Sequence, residues 1–159
     1  ERNGVGGLRF DPMLNRGLYL SSDIDDAIES RRMPLSYVSV EMQFAVAQSA
    51  LGQSSMYGLA SVLQTDTGGE GDGRRYQRGW SIAYSVDAAQ GTLTLHFSVA
   101  AGANMGNDGH KRLSSVSHTS PSTDYALGWV NLVTVYDRSD LKLYVNGSLV
   151  QSAPACSLP

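Results

Sequence analysis

Three sets of residues in this chain have the types and spacing to do chemistry: carboxylates, clustered oxygen donors and aromatic rings. Glycosidic bond hydrolysis needs two carboxyl groups flanking one bond, about 5–5.5 Å or 6.5–9.5 Å apart. The chain offers Glu1, Glu29, Glu41 and Glu70 as glutamates. Glu41 alone falls on a cleanly alternating segment, and its neighbour two residues on is Gln43. A same-face acid–base pair is therefore missing there, and a non-enzymatic role is expected. Glu41 reads instead as a polar residue on a strand face.

The second set is Asp66, Glu70 and Asp72 in the run Asp66-Thr-Gly-Gly-Glu70-Gly-Asp72-Gly. Calcium takes six to eight oxygen ligands, mostly carboxylate and carbonyl. The run is not an EF-hand, because its third position is Gly68 and its twelfth is Gln77, where a bidentate Glu is required. A different calcium loop would need Asn107, Asp108 or Asn104 from the second Gly-rich stretch. The competing reading is two acidic, soluble loops, with Arg74, Arg75 and Arg78 placed to neutralise the same acids.

His96, His110 and His118 are scattered, with neither helical i,i+4 spacing nor a Cys partner, so zinc has little support. A Ser-His-Asp triad assembles from distant positions and cannot be assigned from spacing. Gly4-Val-Gly-Gly7 lacks the Lys-Ser/Thr and the following helix of a phosphate loop. Tyr37, Tyr76, Tyr125 and Tyr144 are the candidates for binding glycan or protein, since rings stack on sugar C–H faces and Tyr adds a hydroxyl. Against that, strand tyrosines commonly pack as cross-strand partners. Asn146-Gly147-Ser148 is an N-glycosylation sequon and also a strong turn signal, because both Asn and Gly tolerate positive φ.

The elements that must position these residues are strands. Apolar residues alternate with polar ones over 37–46, 80–86, 92–99 and 141–145, the pattern of strands with one dry face. Weaker segments lie at 8–10, 17–21, 57–65 and 111–118. Residues 130–137 are apolar on both faces, which predicts a central strand with something over its outer side. Turns fall at 87–91, 138–140 and 146–147. One short helix is expected over 23–31, capped by Ser22. Stretches 66–77 and 101–110 read as irregular. The sum is all-β: a two-sheet antiparallel β-sandwich.

Size and charge agree with that. The chain has 159 residues, 42% hydrophobic and 17% charged, with a net charge of −3. A domain of this length buries about 68–70% of its extended surface. Its acidity offers no electrostatic draw to nucleic acid, and no run of about 18 apolar residues exists to insert in a membrane. Glu1 in place of Met, and the Pro-rich stretch 153–159, suggest one domain over 1–152 followed by the start of a linker in a longer chain. Cys156 lies in that stretch and reads as half of a disulfide whose partner is elsewhere, or as a free thiol.

Two motifs carry a family likeness. Trp129-Val-Asn-Leu-Val-Thr-Val-Tyr-Asp137 followed by Leu141-Lys-Leu-Tyr-Val-Asn-Gly147 resembles the penultimate hairpin of laminin-G-like and pentraxin-like jelly rolls. Leu8-Arg-Phe-Asp11 and Gly17-Leu-Tyr-Leu-Ser21 are similar to the first hairpin, with Pro12 where Gly is common. The resemblance covers roughly residues 5–150. It implies the concanavalin A-like lectin/glucanase jelly roll, with Trp129 anchoring one sheet. Hydrolases of that superfamily share a Glu-x-Asp-x-x-Glu run along one strand face, which Glu41 and Gln43 do not match. The resemblance thus implies a non-catalytic, extracellular or cell-surface recognition module. Its partners would be glycan or extracellular protein, with neighbouring domains of the same chain. The alternative it leaves is a purely structural module in a glycoprotein assembly.

Overall fold

The alternation at 37–46 becomes strand β1, Val38–Phe44, whose even-numbered residues turn inward and end on buried Phe44. The same two-residue period builds the rest of a computed structural model that describes residues 37–67, 75–100, 113–126 and 128–155. The helix expected over 23–31 and the strands expected at 8–10 and 17–21 lie outside the described residues. The chain divides into two units, Glu1–Met33 and Pro34–Pro159, and every described residue belongs to the second.

Seven further strands follow β1: β2 Ser55–Thr67, β3 Arg75–Asp87, β4 Thr92–Ala100, β5 Leu113–Pro121, β6 Val130–Tyr136, β7 Asp140–Val145 and β8 Ser148–Pro154. They form two four-stranded sheets, ordered β1-β6-β7-β8 and β2-β3-β4-β5. Every pairing is antiparallel. The fold is an all-β two-sheet antiparallel β-sandwich. Its short helix among the described residues is α1, Gln48–Leu51, between β1 and β2, and a 3-10 turn at Ser122–Tyr125 follows β5.

The two dry faces meet in one core. The first sheet contributes Phe44, Leu132, Tyr136, Leu141 and Leu143; the second contributes Ile82, Tyr84, Leu93, Leu95, Phe97 and Val116. Each fully buried side chain of this size favours folding by about 1.5–3 kcal/mol before entropy is counted. At one end Tyr84 stacks between Phe44 and Tyr57, with ring centroids 6.1 Å and 4.9 Å away. This links β1 of one sheet to β2 and β3 of the other.

Turn chemistry sets the register. Asp87 Oδ1 accepts the Ala89 and Gln90 amide N–H groups at 3.0 and 3.1 Å, and Gly91 closes that hairpin with φ 62°. Asp137 Oδ1 likewise accepts from Ser139 and Asp140 at 3.1 and 2.8 Å. Asn146 and Gly147 take φ 49° and 81°, the left-handed pair that their tight turn requires.

Three expectations change. The stretch 66–77 is not irregular throughout: β2 runs through Asp66 to Thr67, and β3 starts at Arg75. The Asn-Gly turn feeds a full strand, β8, which takes in Ala153 and Pro154 where a linker was expected, and Ala155 N–H donates to Ser139 O at 2.7 Å. Trp129 does not anchor a sheet. It is 55% exposed, just before buried Val130, so the anchoring role falls to Val130 and Leu132.

Candidate functional site

Both outer faces mix polar and apolar groups: on the second sheet, Met56, in one row with Ser85, Thr94 and Thr119, is 64% exposed. On the second sheet, Ser85, Thr94, His96, Ser98, Ser117 and Thr119 lie outward on neighbouring strands. Four of them pair across strands through their polar atoms. Ser85 Oγ and His96 Nε2 are 2.8 Å apart, and Thr94 Oγ1 and Thr119 Oγ1 are also 2.8 Å apart. Partial burial lowers the His96 pKa, which keeps the ring neutral at pH 7. A neutral imidazole beside a hydroxyl has the make-up of a nucleophile–base dyad, to which a triad adds an orienting carboxylate. No carboxylate among the described residues hydrogen-bonds this ring, and the pair bridges β3 and β4.

The first sheet's outer face mixes apolar, aromatic and amide groups. The register aligns Glu41, Val133, Tyr144 and Leu149 in one row across all four strands. The next row is Ser39, Val135, Lys142 and Ser152. Leu149 is 54% exposed, while Val133 and Tyr144 are half-buried. Asn131 Nδ2 donates to Glu41 Oε1 at 2.9 Å, joining β6 to β1. Because a carboxylate only accepts, this bond fixes the amide: its nitrogen faces Glu41 and its oxygen faces away.

One end of this face is pinned by charge. Lys142 Nζ lies 2.7 Å from Asp137 Oδ2. The hydrogen bond from Lys142, then the one from the Asp140 N–H, lowers the Asp137 pKa. The Arg138 guanidinium sits 5.1 Å from the ring centre of Tyr37, which is itself 61% exposed. Arg138 holds φ 73°.

The expected site residues fall as follows. Tyr37 is exposed and Tyr144 is on the mixed face. Tyr125 is corrected: it is 3% exposed, inside the core, and its hydroxyl accepts from Ser120 Oγ at 3.0 Å. Sequence placed it in a loop, but the 3-10 turn folds its ring against β4 and β5. Tyr76 lies on β3 opposite Asp66 of β2, and for both the description extends to the backbone alone. Glu70, Asp72, Asn107, Asp108 and Cys156 lie outside the described residues. Among the described residues no group of three or more His, Cys, Asp or Glu is placed to hold a metal. Asn146 is exposed in its turn, and its Oδ1 accepts the Asn131 N–H at 3.0 Å.

Sequence reasoning missed Trp129, Leu149 and the Glu41–Asn131 bond. The first had a readable signal. Trp129 shares parity with Asn131 and Val133, so continuing the alternation back from β6 places it outward. Neither known protein families, nor curated proteins, nor solved structures provide a match to the chain.

Proposed function

We propose that this domain is a non-catalytic recognition module of a secreted or cell-surface multidomain protein. It binds glycan or protein with the outer face of the β1-β6-β7-β8 sheet. The observation that carries the reading is the exposure of Trp129, Leu149 and Tyr37 around that face, beside the hydrogen-bonded Asn131–Glu41 pair. Exposed aromatic and aliphatic groups beside fixed polar ones are what a binding surface needs. The laminin-G-like motif at residues 129–147, which forms the β6–β7 hairpin, supports the same reading by resemblance. Extracellular placement rests on that resemblance.

The test compares two double variants. The intact chain is screened on an oligosaccharide array and against a panel of purified extracellular proteins. Trp129→Ala/Tyr144→Ala should abolish whatever binds, and Thr94→Ala/Ser117→Ala on the opposite sheet should not. Absence of any ligand, or loss through the second pair alone, refutes the proposal.

A further inference from the structure

We infer that Trp129, Asn131 and Glu41 form a subsite for one ring of a neutral oligosaccharide, an inference that rests on the recognition reading above. Trp129 presents its indole to solvent at the head of β6. Asn131 follows two residues later, about 6–7 Å along the strand, which is one sugar ring's width. A ring stacked on the indole by its C–H face brings its hydroxyls over the Asn131–Glu41 pair.

That pair is already ordered. Asn131 Nδ2 spends one hydrogen on Glu41 Oε1, leaving its second N–H to donate and its Oδ1 to accept. Glu41 Oε2 takes no bond from a described residue. One donor and two acceptors held in a fixed frame suit vicinal hydroxyls, each of which donates and accepts. The existing bond reduces the rotamer entropy still to be lost when a ligand binds the two side chains.

Charge selects the class. Glu41 is the anion of this subsite, and the Lys142 ammonium on the same face is engaged by Asp137. A sulfated or carboxylated sugar would meet like charge at Glu41, and the Lys142 ammonium in the neighbouring row is already taken by Asp137. A neutral ring meets acceptors without repulsion. Size argues for sugar over protein. The three residues occupy two adjacent strands, whereas a stable protein interface buries about 800 Å² on each partner.

The experiment uses the intact chain and an array of neutral, sialylated and sulfated oligosaccharides, read at low and high salt. Binding to a neutral oligosaccharide is expected, unchanged by salt. Trp129→Ala should weaken it at least about tenfold and Asn131→Ala about as much, while Trp129→Phe retains part of it and Thr94→Ala, on the opposite sheet, leaves it unaltered. Matching circular dichroism and melting temperatures confirm that each variant is folded. Neutral-glycan binding that survives Trp129→Ala overturns the subsite and leaves the recognition reading standing. Salt-sensitive binding to charged glycans overturns the neutral class. A protein ligand on this face with no oligosaccharide bound overturns the inference alone, and no ligand of either kind overturns both.

Discussion

Thr134 lies at the centre of β6, fully buried between Val40 and Leu143, and its Oγ1 has no hydrogen-bond partner among the described residues. Withholding a buried hydroxyl from water without a partner costs about 1–3 kcal/mol. Thr134→Val replaces that hydroxyl with a methyl of similar size and keeps the β-branch that suits a strand. The methyl itself adds up to about 0.8 kcal/mol of apolar burial. Allowing for imperfect packing, the variant should gain about 1–2 kcal/mol. At this chain length each kcal/mol moves the melting temperature by about 2–4 °C, so Tm should rise by about 2–8 °C. Urea unfolding should show a higher midpoint at unchanged slope. Thr134→Ser keeps the hydroxyl and loses the methyl, so it should lose about 1 kcal/mol. A Thr134→Val variant no more stable than the parent, at the same slope, would refute the reasoning. It would mean that Oγ1 is satisfied by a buried water, and that the valine had removed a bonded group.

Three further outcomes are expected. Burial, and then Tyr57, pushes the Tyr84 pKa up to about 12; the unfolded chain ionises near 10, so stability is full below about pH 10 and falls between pH 10 and 12. Urea midpoints across that window should flatten in Tyr84→Phe, and an unaltered alkaline limb would contradict this. His96 should titrate below 6.5 by NMR. Its folded form resists the proton that the unfolded ring accepts, so its contribution is present above pH 6.5 and is lost as pH falls; a midpoint at or above 6.5 would be inconsistent with its burial. Asn146→Ala should destabilise by about 1–2 kcal/mol, because it loses both the bond to the Asn131 N–H and the tolerance for φ 49°. Asn146→Gly should cost less than Asn146→Ala by thermal melting, since Gly keeps the turn geometry, and the reverse order would rule that explanation out.

Strands were legible where one face is dry. Residues 80–86 and 92–99 pair in the register their alternation implies, with Ile82 opposite Phe97 and Tyr84 opposite Leu95. The central placement of 130–137 was legible too: residues apolar on both faces suit an interior strand, and β6 lies between β1 and β7. What failed was judgement about single side chains. Tyr125 looks like a loop residue, and its burial depends on a 3-10 turn that no period announces. Trp129 looks like core because tryptophan is apolar, yet its parity with Asn131 puts it outside. β8 was hidden because Ser148–Pro154 has little alternation, and its register with β7 shifts between Leu143 and Tyr144. The Glu41–Asn131 bond joins residues 90 apart in sequence, so spacing could not reveal it.

The mixed face sharpens when each apolar residue on it is matched to a local reason. Val135 lies opposite Lys142, whose aliphatic stem can cover it while the ammonium reaches Asp137. Val133 lies opposite Tyr144, an aromatic–β-branched pair of the kind that stabilises any sheet. Tyr37 has Arg138 over its ring. These need no ligand. Trp129 and Leu149 have no such account, and they are the two large residues left more than half exposed on this sheet without a described aromatic or ionic partner. Leu149 sits on edge strand β8 opposite half-buried Tyr144, two strands away from Asn131 on β6. Trp129 stands beside an ordered carboxylate–amide pair. If one position on this face is shaped for a ligand, the chemistry assigns it to the head of β6, and Leu149→Ala against Trp129→Ala is the comparison that separates a binding residue from a merely exposed one.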